Sequence, residues 1–169
     1  TYTVNPTGFA CSSSKCFAGG VMVGDYLWML PLSANSVVRV HKITGVMQAY
    51  SCVQGGVTLG AEPFSGGAYD KKRGLIWLTP RFASHLVALD TKTGTMSYCP
   101  TWPSAFGKGY HAFFGTFVGR DYLWLAPPTA NMIVRVSCVD CSMVGFKDCP
   151  PGFSGGPPVV SYFVGAVFD

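Results

Sequence analysis

Cys138 and Cys141 form a CxxC pair in "CVDC", and Cys149 follows closely. Three thiolates so spaced could hold a zinc ion, with His111 as a fourth ligand, or the pair could act as a redox dithiol. The competing expectation is structural. Seven cysteines (Cys11, Cys16, Cys52, Cys99, Cys138, Cys141 and Cys149) in a turn-rich chain of low charge favour disulfides and an oxidising compartment. The odd count leaves one thiol free, bonded to another chain, or bonded to a segment outside this sequence. Cys11 and Cys16 are close enough to close a small loop. Cys52, Cys99 and Cys149 recur at similar places along the chain, so bridges between neighbouring repeats are open as well.

A second candidate is Ser154 in "PPGFSGGPPVV", whose surroundings are like those of a chymotrypsin-type nucleophile. Such a serine needs a histidine base and an orienting aspartate. His41, His85 and His111 and Asp70, Asp90 and Asp121 are available, but none sits in a familiar catalytic context. "FSGG" also occurs at Phe64–Gly67, where it opens a repeat, so one structural explanation covers both copies. The acidic residues sit mainly in turns, where their side chains bond the backbone. No catalytic or metal-binding residue is therefore expected. Trp102, Tyr110 and His111 lie outside the repeat in "CPTWPSAFGKGYHAFF" and are the expected ligand platform, suited to stacking on a sugar ring.

These residues need a frame, and the composition restricts it. With 169 residues, 49% hydrophobic and 12% charged, the chain is expected to fold as a single domain over 1–169. Its 21 Gly and 12 Pro, with 14% aromatics, favour short strands joined by turns. The net charge of +4 is scattered, and its one run, Lys71-Lys72-Arg73, falls in a predicted turn, so no nucleic-acid partner is expected. No apolar run reaches about 18 residues, so no transmembrane helix is expected. "TYTVNPTGFACSSSK" lacks the pattern of a signal peptide, which fits a leader already removed from a precursor. No glycosylation acceptor is present, since Pro6 follows Asn5 and no hydroxyl stands two places after Asn35 or Asn131.

One pattern, W-x-x-P-x-x-A-[NS]-x-x-V-x-[VL], is written three times without a gap. It starts at Trp28 with Pro31, at Trp77 with Pro80 and at Trp124 with Pro127. Each tryptophan lies in a continuous apolar run, as expected for a strand covered on both faces, and the proline ends that run because it has no ladder N–H. β-branched stretches follow, then Thr44-Gly45 and Thr93-Gly94, whose glycines suit a tight turn. The third copy has "CVDCSM" there instead. The expected fold is all-β: a β-propeller-type array of four-stranded antiparallel blades. The repeats run over about 17–63, 64–112 and 113–152, with a partial one at 153–169 that could start at Phe153 or Phe163. Residues 1–16 read as the tail of a preceding repeat. A jelly roll or sandwich is the alternative; a helical solenoid is excluded by the Gly, Pro and β-branched content. The three tryptophans are expected to pack between blades.

"HLVALDTKTGTMSY" (His85–Tyr98) resembles the blade signature of quinoprotein-like, kelch and NHL propellers. "FSGGAYDKKRGLIWLTPRFASHLVALDTKTG" is similar to repeats of protist and bacterial surface propellers. The resemblance implies a scaffold with function in its loops, and it transfers no catalytic residue and no cofactor. A quinone and calcium pocket cannot be mapped onto it. The expected function is a non-catalytic extracellular or cell-surface module for binding or assembly. Its partners would be other copies of itself, adjoining repeats of a longer chain, or a glycan. The alternative is a propeller-based enzyme, hydrolase or quinoprotein-like, and less so a protease using Ser154.

Overall fold

The computed structural model describes residues 6–52 and 61–148. Three four-stranded sheets fill them, each a plain antiparallel meander. The first joins β1 (Phe17–Val23), β2 (Tyr26–Pro31), β3 (Ser36–His41) and β4 (Met47–Ser51). The second joins β5 (Phe64–Asp70), β6 (Leu75–Pro80), β7 (Leu86–Asp90) and β8 (Met96–Cys99). The third joins β9 (Gly115–Val118), β10 (Tyr122–Ala126), β11 (Ile133–Ser137) and β12 (Met143–Phe146). The first strands stack in series, β1 against β5 and β5 against β9. This is the propeller-type arrangement expected from the repeat.

Register follows the repeat residue by residue. Trp28 pairs with Val21 and Arg39, Trp77 with Ala68 and Ala88, and Trp124 with Phe117 and Arg135. Alternation then gives every blade two faces. Trp28, Leu30 and Val37 of the first sheet close on Ile76, Leu78, Val87 and Leu89 of the second. Trp77, Leu86 and Ala88 on the opposite face of the second sheet close on Leu123, Leu125, Val134 and Val136 of the third. Burying one indole and its aliphatic neighbours removes roughly 200 Å² of apolar surface, a gross gain of several kcal/mol per junction.

The FxGG stretches have a structural task. Both β1 and β5 shift register between their phenylalanine and second glycine. Gly66 has φ 120°, and a Cβ there would lie 3.3 Å from the Ala18 carbonyl oxygen of the neighbouring blade. Glycine allows this bulge and close approach. The Ser65 hydroxyl donates to the Phe113 carbonyl at 2.7 Å, tying the second blade to the start of the third. Ser154, and the partial repeat at 153–169, lie outside the described residues.

Two sets of connections result. The turns 24–25, 71–74 and 119–121 share one end of the blades with the turns 42–46, 91–95 and 138–142; this is the lower face. There His41, Asp90 and Ser137 hold equivalent positions and cap equivalent turns. His41 Nδ1 accepts from the Ile43 and Thr44 amides, Asp90 from Lys92 and Thr93, and Ser137 from Val139. The connections 32–35, 81–85 and 127–132, with the long segment 100–114, form the upper face.

Candidate binding face

The cysteines divide into two classes. Cys11 bonds Cys16, and Cys99 bonds Cys141. Among the described residues Cys52 and Cys138 have no disulfide partner, and both are buried. Cys52 packs in the core between the first two blades, and burial pushes its thiol up to about 12. Burial, and then the nearby Asp70 carboxylate, raise Cys138 to about 11. Cys149 lies outside the described residues. The CxxC pair is split, since Cys141 bonds the neighbouring blade, and among the described residues no three His, Cys, Asp or Glu converge on a metal-sized site.

Charge concentrates at the lower face between the second and third blades. Asp70 is 1% exposed and receives Arg73 Nη1 at 3.1 Å. Arg73 Nη2 reaches Asp121 of the next blade at 3.0 Å, and Lys72 reaches the same carboxylate at 2.6 Å. Hydrogen bonds from Lys72 and Arg73 hold the Asp121 carboxyl below its ordinary value. The run Lys71-Lys72-Arg73 thus supplies two residues of an interblade clamp. Asp70 and Asp121 are engaged in that clamp, and Asp90 in a turn cap.

The upper face is built on an asparagine clasp. Asn131 accepts the Gly107 amide at 2.7 Å and donates to the Ala105 carbonyl at 2.9 Å, while its own amide donates to the Gly107 carbonyl. Asn35 clasps the residues before the first blade in the same way, accepting from the Ala10 amide and donating to the Gly8 carbonyl. Thr129 adds a second anchor to the 100–114 segment. Its hydroxyl accepts the His111 amide at 2.9 Å and donates to the His111 carbonyl at 2.8 Å.

The segment so held presents an aromatic patch. Tyr110 is 73% exposed and lies 4.5 Å, centre to centre, from His111. Phe82 contacts both rings edge-on, and Phe114 flanks His111 at 5.5 Å. Beneath them Arg81 spans Glu62 at 2.9 Å and His111 Nε2 at 2.8 Å. Burial first, and then the Arg81 charge, lower the His111 pKa, so the neutral ring accepts from Arg81. The Lys108 ammonium donates to the Phe82 carbonyl and fixes that loop from the other side.

Of the expected platform, Tyr110 and His111 stand together and Trp102 does not join them. Its indole stacks on Phe106 at 4.6 Å and on Phe113 at 5.7 Å, and its N–H donates to the Ser84 carbonyl. Two rings and a satisfied donor make it a mount for the segment. Arg81, Phe82 and Phe114 were not singled out from sequence. A signal existed for two of them: Arg81 and Phe82 occupy repeat positions where the other copies have Leu32-Ser33 and Pro128-Thr129.

No family model matches the chain, and no curated protein matches it. Solved structures do. A catalytically inactive virginiamycin B lyase from Staphylococcus aureus, bound to quinupristin, superposes with TM-score 0.62 at 18% identity, over 85% of this chain and 46% of that one. The extracellular domain of a one-component system from B. thetaiotaomicron gives TM-score 0.52 at 15% identity, over 76% and 18%. Hydrazine synthase of Kuenenia stuttgartiensis gives 0.52 at 14%, over 85% and 38%. The chain spans about half the length of the lyase, 46%, and less of the others. These are propeller-type proteins, and at such identities the likeness is one of fold: three blades of an all-β propeller-type array.

Proposed function

We propose that the chain is a non-catalytic extracellular module that binds a protein partner through the upper face of its second and third blades. The observation that carries this reading is the patch of Phe82, Tyr110, His111 and Phe114, held from below by Arg81 and Glu62. An exposed aromatic on a rigid mount, ringed by an arginine and polar groups, has the composition of an interface hot spot. A sugar ring would want one broad plane. Here interplanar angles of 41°, 73° and 83° break the plane, which favours a protein's irregular side chains. Two disulfides, and the fold's occurrence in extracellular domains, support an oxidising, external location.

The test compares two exposed positions on opposite faces. A photo-crosslinking residue replaces Tyr110 or, as control, Val139, which is 76% exposed on the lower face. Each protein is offered to intact surface material of its source. The expected result is one discrete adduct from position 110, none from 139, and competition by the unlabelled chain. The Tyr110→Ala chain should compete at least about tenfold more weakly. Equal labelling from both positions, or equal competition by the variant, would sink the proposal.

A further inference from the structure

Two kinds of blade face recur. The trailing face of the first blade sets Arg39 over three rings, at 4.6 Å from Tyr26, 5.6 Å from Trp28 and 5.4 Å from Tyr50. Trp28 and Tyr50 stack at 5.2 Å. The leading face of the second blade carries Ile76, Leu78, Val87 and Leu89, none more than 5% exposed. Those two faces form one core, and the Tyr50 ring lies against Gly94 in the turn between β7 and β8.

Both halves of that junction recur on the outer blades; the first blade's leading face is open at Leu27 but closed at Val38, which is 1% exposed. The third blade repeats the trailing face. Arg135 lies 4.5 Å from the Tyr122 ring, 5.9 Å from Trp124 and 5.8 Å from Phe146, and Trp124 meets Phe146 at 5.5 Å. Among the described residues nothing closes over it: Tyr122 is 45%, Val144 43% and Phe146 40% exposed. The first blade repeats the leading face. Leu27, Met29, Val38 and Val40 stand where the second blade has Ile76, Leu78, Val87 and Leu89. Leu27 is 37% exposed, and Gly45 takes the place of Gly94 with φ 69° against 74°.

We propose that the trailing face of the third blade docks the leading face of the first blade of a second copy of this chain. The contact continues the junction already made between the first and second blades, with Phe146 laid on Gly45 as Tyr50 lies on Gly94. It is head-to-tail. Made twice, it closes a ring from the three described blades of each copy, six in all, which falls within the usual range of about four to eight.

Sedimentation of the full chain in the micromolar range is expected to give twice the 18.0 kDa chain mass. Phe146→Glu and Leu27→Glu each replace a part-exposed side chain, so circular dichroism should stay unchanged while each variant falls to the single-chain mass. Mixing the two variants leaves one seam with both wild-type faces, and the double mass should return. A wild-type monomer overturns the proposal. If its Phe146→Glu variant also melts lower, residues 149–169 or a segment of a longer chain occupy that face instead. A dimer broken by Phe146→Glu but untouched by Leu27→Glu also overturns it, because that contact would be a symmetric pairing of trailing faces.

Discussion

Cys141 departs from the repeat in the third copy, and its geometry explains how. It occupies the turn position of Gly45 and Gly94 and keeps their left-handed backbone, with φ 61°. Its sulfur reaches Cys99, which stands in register with Tyr50. A covalent bond between the second and third blades thus replaces the ring-on-glycine contact between the first and second. Closing 42 residues in the unfolded chain contributes about 4 kcal/mol by the loop-entropy account, against about 2 for Cys11–Cys16. In a Cys99→Ser background, Cys141→Gly should be more stable than Cys141→Ala by about 1 kcal/mol, read from denaturant midpoints, because glycine carries no left-handed penalty. Cys52 and Cys138 make a second prediction at this scale. Their raised pKa values and burial should leave both unalkylated by iodoacetamide at about pH 8 in the native protein and modified after denaturation. Peptide mapping reads the outcome, and rapid native labelling of either would contradict it.

The strand pattern was legible in the sequence because its cause is local. An apolar run ended by proline, a β-branched run and a Thr-Gly turn each act within a few residues. The task of the repeated asparagine was not, because its partners lie in segments that do not repeat: Gly8 and Ala10 in "TGFA", Ala105 and Gly107 in "AFGK". Nor was the inward role of Trp102, since exposure depends on where Phe106 and Phe113 come to lie. The four phenylalanine, tyrosine and histidine rings of the upper patch converge only once β6 and the 100–114 segment are folded together. Asn131→Ala removes two side-chain bonds from that segment and should cost about 1–2 kcal/mol of stability. It should also weaken partner competition through Tyr110, whereas Asn35→Ala, with a similar stability loss, should leave competition unchanged. Equal binding loss in both variants would assign the asparagines to general stability alone.

At the scale of the molecule, the lower face carries an acid sensitivity. Hydrogen bonds from Lys42, from the Thr93 and Lys92 amides, from Lys72 and from Ser137 lower the carboxyls of Asp25, Asp90, Asp121 and Asp140 respectively, the last to about 2. A carboxyl lowered on folding contributes stability above its unfolded value, and that contribution is lost as pH falls through the folded one. Urea midpoints should therefore hold steady down to about pH 5 and decline between about pH 4 and pH 2, with added salt blunting the Lys42–Asp25 and Lys72–Asp121 share. A midpoint unchanged at about pH 2.5 would show that these turns add nothing to stability.

The unequal joints between blades also set how the chain yields to a pull. Drawn from its two ends, the first blade is held to the second, among the described residues, by core packing, while Cys99–Cys141 locks the second to the third. Tension should therefore peel the first blade early and then stall. The stretch inside the bridge, whose ends are 42 positions apart, remains slack that force cannot draw out, about 150 Å of hidden length. An optical-tweezers trace should gain that length in one step when a reductant is added, giving the chain a reserve that chemistry, not load, releases.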